Sequence, residues 1–138
     1  AFKVELADTP EAQARGLMFR DRLGDNEGMI FPSAQPGPRS FWMKNTPLSL
    51  DIIFIGPDGR IANIAANTVP YSLDSVSSKG DASGVLELRA GRAAAAIASG
   101  SGHPPTTLNR HAPGLAAPAV CRSIATAIVR CRGRNPIR

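Results

Sequence analysis

A chain of 138 residues, with 43% hydrophobic and 20% charged side chains, reads as one globular domain, and no apolar run approaches the ~20 residues that a bilayer-spanning helix needs. The net charge of +5 belongs to one segment: residues 1–90 hold eleven acids and nine bases, whereas residues 91–138 hold seven arginines and no acid, so the total is no argument for a nucleic-acid protein. Both Cys and both His also lie beyond residue 90, which excludes a Cys nucleophile, a Ser-His-Asp triad or a His/Cys zinc site built from residues 1–90 alone.

Residues 2–7 alternate apolar and polar side chains, the period of a half-buried strand. Thr9-Pro10-Glu11 starts a helix over residues 10–18: Thr9 can cap it, Pro10 suits its first position, and Glu11 faces the positive end of its dipole. After a polar turn at residues 25–28, Met29-Ile30-Phe31 is a short strand. Residues 32–38 contain three prolines, which lack backbone donors, and are expected to stay outside any ladder. Ser40-Phe41-Trp42-Met43 reads as a strand that enters the turn Lys44-Asn45-Thr46-Pro47. Leu50 to Ile55 is the strongest strand, rich in β-branched and aromatic residues, and Gly56-Pro57-Asp58-Gly59 turns the chain into a hairpin partner at residues 60–64. A Ser/Gly/Asp-rich loop over residues 70–84 precedes the strand Val85-Leu86-Glu87-Leu88, and a helix begins at Ala90-Gly91-Arg92-Ala93. Five or six strands with one or two short helices predict an α+β fold, mostly antiparallel β: a small sheet or partly closed barrel, with an irregular C-terminal tail.

Gly16-Leu17-Met18-Phe19-Arg20, Phe41-Trp42-Met43-Lys44-Asn45-Thr46, Asp58-Gly59-Arg60-Ile61 and Val85-Leu86-Glu87-Leu88-Arg89-Ala90-Gly91 are words found in a known order and spacing. On these words the first 92 or so residues resemble the bacterial and archaeal family called domain of unknown function 192. The resemblance implies a compact, mostly β domain, usually exported behind a signal peptide or lipid anchor, and hence periplasmic or extracellular. It implies no activity. Phe2 opens the first strand almost at once, so a mature or trimmed form without a signal peptide is expected.

The resemblance fades after Ala93, where family members add a Gly-Asp-containing turn and a last strand. Here the chain runs on in Ala, Arg, Pro, Gly, Ser and Cys, the output expected from a GC-rich strand read out of frame. The expected organisation is a domain over residues 1–93 that lacks its last strand, and a tail over residues 94–138 that is out of frame or disordered.

Lys44, Asn45, Thr46 and Asp51 form the main candidate site, at a junction between strands. Lys44 can hold an anion, Asn45 and Thr46 can donate hydrogen bonds, and Asp51 can pair with Lys44 or act as a base. The plainer reading gives Asn45-Thr46-Pro47 to the turn and Asp51 to backbone donors. Arg15 and Arg20 can clamp a carboxylate or phosphate, or serve in ion pairs within the domain. Trp42 can line an apolar pocket, and by strand alternation it faces away from Phe41 and Met43. Met18, Met29 and Met43 read as core filler rather than copper ligands, and neither a metal nor a cofactor is expected.

These residues point to a binding or accessory module for a small polar or anionic ligand or an extended peptide, and the resemblance implies that it belongs to the cell envelope. One alternative is a small hydrolase or lyase that uses Lys44 and Asp51 as an acid–base pair. A second, weaker one is a nucleic-acid binder that works through the basic tail.

Overall fold

The computed structural model describes residues 2–99 and 129–131. The fold is of the α+β class, built on an open six-stranded sheet. Its strands, with β1 at Phe2–Leu6, β2 at Glu27–Gly37, β4 at Leu50–Ile55, β5 at Ile61–Ala65, β7 at Ala82–Arg89 and β8 at Val129–Cys131, lie in the order β5-β4-β7-β2-β1-β8. A two-residue pair, β3 (Ser40–Phe41) with β6 (Val76–Ser77), stands apart as a second sheet. Two helices complete the described residues, α1 at Pro10–Arg15 and α2 at Arg92–Ser99.

Strands β2, β7, β4 and β5 pair antiparallel, whereas β1 runs parallel to both β2 and β8. The parallel pairing of β1 with β2 follows from the intervening α1 and loop, which carry the chain back to its starting end. β4 is buried at every position and β7 at most, because each has neighbours on both sides and layers on both faces. Alternation then splits their side chains between two cores. One face carries Met29, Phe31, Leu50, Ile52, Phe54 and Val85 under α1 and the loops. The other carries Ile30, Ile53, Ile55, Leu86 and Leu88, and packs against Ala93 of α2.

Prolines do not keep residues 32–38 out of the sheet. β2 extends to Gly37: Pro32 pairs with Gly84, and after a register shift Gly37 pairs with Ala82. The chain bulges between these contacts, so the donorless Pro36 falls where no ladder bond is required, and the freed carbonyl of Pro32 accepts from Gln13 Nε2 at 2.9 Å. The loop expected over residues 70–84 likewise holds β6 and the start of β7.

α1 is shorter than its pattern suggested. Thr9 caps it, with Oγ1 accepting from Ala12 N at 3.2 Å, and Gly16 ends it at φ +49°. α2 has no acid in its first turn; its cap comes from the sheet, where Asp51 Oδ2 accepts from Ala93 N at 2.9 Å. Most of the expected tail, residues 100–128 and 132–138, lies outside the described residues.

Candidate functional site

A cleft of about 270 Å³ opens on the α1 face of the sheet. One wall is the end of α1 and its exit, from Gln13 to Met18, and the other is the segment from Arg39 to Met43. Phe31, Leu50 and Glu87 of the sheet lie beneath. Gln13 fixes the first wall by donating both to Ala7 O at 3.0 Å and to Pro32 O at 2.9 Å, and buried Leu17 anchors its end. The second wall rests on Phe41, whose ring meets Phe31 edge-on at 5.1 Å and Phe54 at 6.2 Å.

Glu87 is the one acid among the residues that line this cleft. It is 5% exposed, and its neighbours in the sheet are Met29 and Ile52. Among the described residues it has neither an ion pair nor a hydrogen bond to its carboxyl. Burial pushes its pKa up to about 8, because no nearby charge repays the desolvation of the carboxylate. At neutral pH it therefore stands mainly as a carboxylic acid, which can donate as well as accept a hydrogen bond.

Two arginines border the same cleft, Arg15 and Arg39. Arg39 is held by Ser33, whose Oγ accepts from Nη1, and lies over the Phe41 ring at 5.7 Å. Desolvation alone lowers its pKa, so no carboxylate compensates it. Arg15 is exposed and has no ion pair among the described residues.

The residues singled out in the sequence divide around this geometry. Arg15, Trp42 and Thr46 line the cleft. Lys44 is exposed beside it, with Nζ over the Trp42 ring at 5.0 Å. Asn45 adopts φ +53°, and its carbonyl accepts from Phe19 N at 2.7 Å. Thr46 is buried, with Oγ1 donating to Lys44 O at 3.0 Å. Arg20 is tied to Glu5 by two bonds of 2.5 and 2.7 Å. Asp51 is 1% exposed and belongs to the opposite face, where Oδ1 accepts from Asn67 N and Oδ2 from Ala93 N, both at 2.9 Å. No hydrogen bond or ion pair joins it to Lys44 among the described residues. Met29 and Met43 are buried in the core, and no cluster of three His, Cys, Asp or Glu occurs among the described residues.

Phe19, Asn45 and Tyr71 all have positive φ, a conformation that Asn adopts readily and that is costly for the two aromatic residues. Hydrogen bonds hold them together, from Phe19 N to Asn45 O and from Tyr71 N to Thr46 O. Two exposed apolar side chains lie beside the cleft: Trp42, which lines it, is 47% exposed, and Phe19, next to the lining residue Met18, is 69% exposed.

Glu87 and Arg39 were missed as site residues in the sequence. The available signal was an acid inside the apolar run Val85-Leu86-Glu87-Leu88, because an acid in a strand paired on both sides has little route to water. Arg39, among prolines and serines, carried no comparable signal.

The family model described as Uncharacterized ACR, domain of unknown function 192, matches residues 1–102. Among solved structures, the chain is similar to a protein of unknown function from Novosphingobium aromaticivorans DSM 12444. Identity is 52%, the TM-score is 0.66, and the match covers 68% of this chain and 67% of that one. It is also similar to a protein of Sinorhizobium meliloti 1021 described as a candidate transcription regulator. There the identity is 41%, the TM-score is 0.64, and the coverage is 67% of this chain and 71% of the other. No curated protein matches the chain.

Proposed function

The chain belongs to the family described as Uncharacterized ACR, and from that premise we propose that it is a binding module whose cleft receives a small polar or anionic ligand. The observation that carries this reading is the cleft of about 270 Å³, bordered by Arg15 and Arg39 and walled by Phe31, Phe41 and Leu17. Arginine presents a fixed fork of donors to a carboxylate or phosphate, and apolar walls suit the body of the same molecule. Exposed Phe19 and Trp42 near the mouth favour a ligand that extends beyond the cleft, as a short peptide does. The proposed setting is the cell envelope, as the family resemblance implies. Fractionation of the native gene product tests that part: recovery with the cytosolic proteins contradicts it.

A thermal-shift screen of small carboxylates, phosphate esters and short peptides tests the binding reading. Hits should be lost in Arg15→Ala and kept in Arg60→Ala, an exposed position beside the turn between β4 and β5 that does not line the cleft. Hits indifferent to Arg15→Ala contradict it. Salt-sensitive binding of duplex DNA by the domain would favour instead the role in the Sinorhizobium protein's description.

A further inference from the structure

We propose that Glu87 is the hydrogen-bond donor at the floor of a carboxylate-binding site whose rim cations are Arg15 and Arg39, so that the site takes organic carboxylates with an apolar body and releases them when Glu87 ionises. The proposal rests on the reading of the cleft as a ligand site, and it names the ligand class.

Three observations support it. First, Glu87 is 5% exposed, lines the cleft, and has no partner for its carboxyl among the described residues. No fully buried side-chain oxygen among the described residues lacks a hydrogen-bond partner, so the unpartnered Glu87 carboxyl keeps an opening to solvent, and the cleft that it lines is that opening. Second, the charged groups that border the cleft are few. The exit of α1 brings Arg15, the approach to β3 brings Arg39, and Lys44 stands exposed beside the cleft over the Trp42 ring. The flanking strands bring Met29 and Phe31 from β2 and Leu50 and Ile52 from β4, none of which titrates. With Glu87 protonated, the lining carries two positive charges and no negative one, a field that favours an anion over an amine. Third, neither arginine is used up by Glu87. Arg39 is held by Ser33 and the Phe41 ring, and Arg15 has no ion pair among the described residues.

A protonated acid facing a carboxylate forms a short, charge-assisted O–H···O⁻ bond, whereas an ionised one repels it. Anion binding and protonation of Glu87 are therefore coupled, and each strengthens the other by the same factor. The arginines stay charged throughout the range in which Glu87 titrates, so they contribute affinity but no pH dependence there.

Phenylacetate is a suitable probe, with phenethylamine as its cationic counterpart, in calorimetric titrations of the full chain at pH 6.5 and 9.5. Phenylacetate should bind at the lower pH and at least tenfold more weakly at the higher, given a Glu87 midpoint of about 8. Glu87→Gln keeps a donor and cannot ionise, so it should bind equally at both values. Amide shifts of Leu17, Trp42 and Glu87 locate the probe in the cleft. An affinity that is the same at both values in the unaltered chain, with those amides still shifted, overturns the role of Glu87 and leaves the ligand site standing. Tighter binding of phenethylamine that grows with pH overturns the anion class in favour of a cation. A probe that shifts no cleft amide removes both the proposal and the ligand site it rests on.

Discussion

At Glu87, a single carboxyl sets the chemistry of the cleft and also weakens the fold as it ionises. Its pKa in the folded chain is raised from the ordinary carboxyl value of 4.5 to about 8 by desolvation. The folded state therefore holds a proton that the unfolded state has already lost between those two values. Its stabilising contribution is complete below the unfolded value and declines as pH climbs to about 8, by on the order of a few kcal/mol. Urea titrations at pH 5 and pH 8.5 should show this decline in the unaltered chain and a flatter response in Glu87→Gln. Parallel behaviour of the two proteins would mean that Glu87 is solvated or paired. Asp51 shows the contrast: it is equally deep, but two backbone N–H groups satisfy it, so it is structural. In the linear sequence Asp51 reads as a candidate base and Glu87 as one residue of a strand. Both are acids beside apolar residues, and only the three-dimensional pairing distinguishes the one that meets donors from the one that does not.

At the scale of elements, the close pairing of β2 with β7 positions Glu87. Gly28 lies opposite Leu88, and a Cβ there would collide with the Glu87 carbonyl and approach Leu88 Cδ2 to 2.8 Å. Gly28→Ala should therefore destabilise the fold by roughly 2–3 kcal/mol, as overpacking against backbone does. It should also weaken carboxylate binding, because β7 must shift. Unchanged unfolding midpoints would show that the two strands have slack. Most of these elements were legible locally. Leu50 to Ile55 announced β4, Thr9-Pro10 announced α1, and Gly56 to Gly59 announced the turn, because each depends on nearby residues. The bulged continuation of β2 through Pro32 was not legible, since it depends on where β7 happens to run and on Gln13 reaching the freed carbonyl. Nor was the parallel seat of β1, which only the crossover through α1 determines.

For the molecule as a whole, the sheet separates two layers with different duties. The α1 face carries the cleft, and the α2 face closes the second core through Ala93 and Asp51. A chain ended at Gly91 loses the Ala93 N–H that one buried carboxylate oxygen accepts from, at a cost of about 1–3 kcal/mol for that group alone. A chain ended at Ser99 keeps the bond and should unfold at the higher temperature of the two. Equal melting temperatures would show that α2 adds nothing. The expected out-of-frame origin of residues beyond about 94 is a proposal about the gene. An alternative frame should encode a Gly-Asp-containing closing strand, and its absence would count against the idea.

All of this turns on one buried acid without a counter-ion facing a cleft bordered by arginines. Carbon-detected NMR of the Glu87 side-chain carboxyl, titrated in the full chain, reads that acid directly. A midpoint near 8, moving higher when phenylacetate is added, is the expected result. A midpoint in the ordinary carboxyl range, unmoved by the probe, would contradict it.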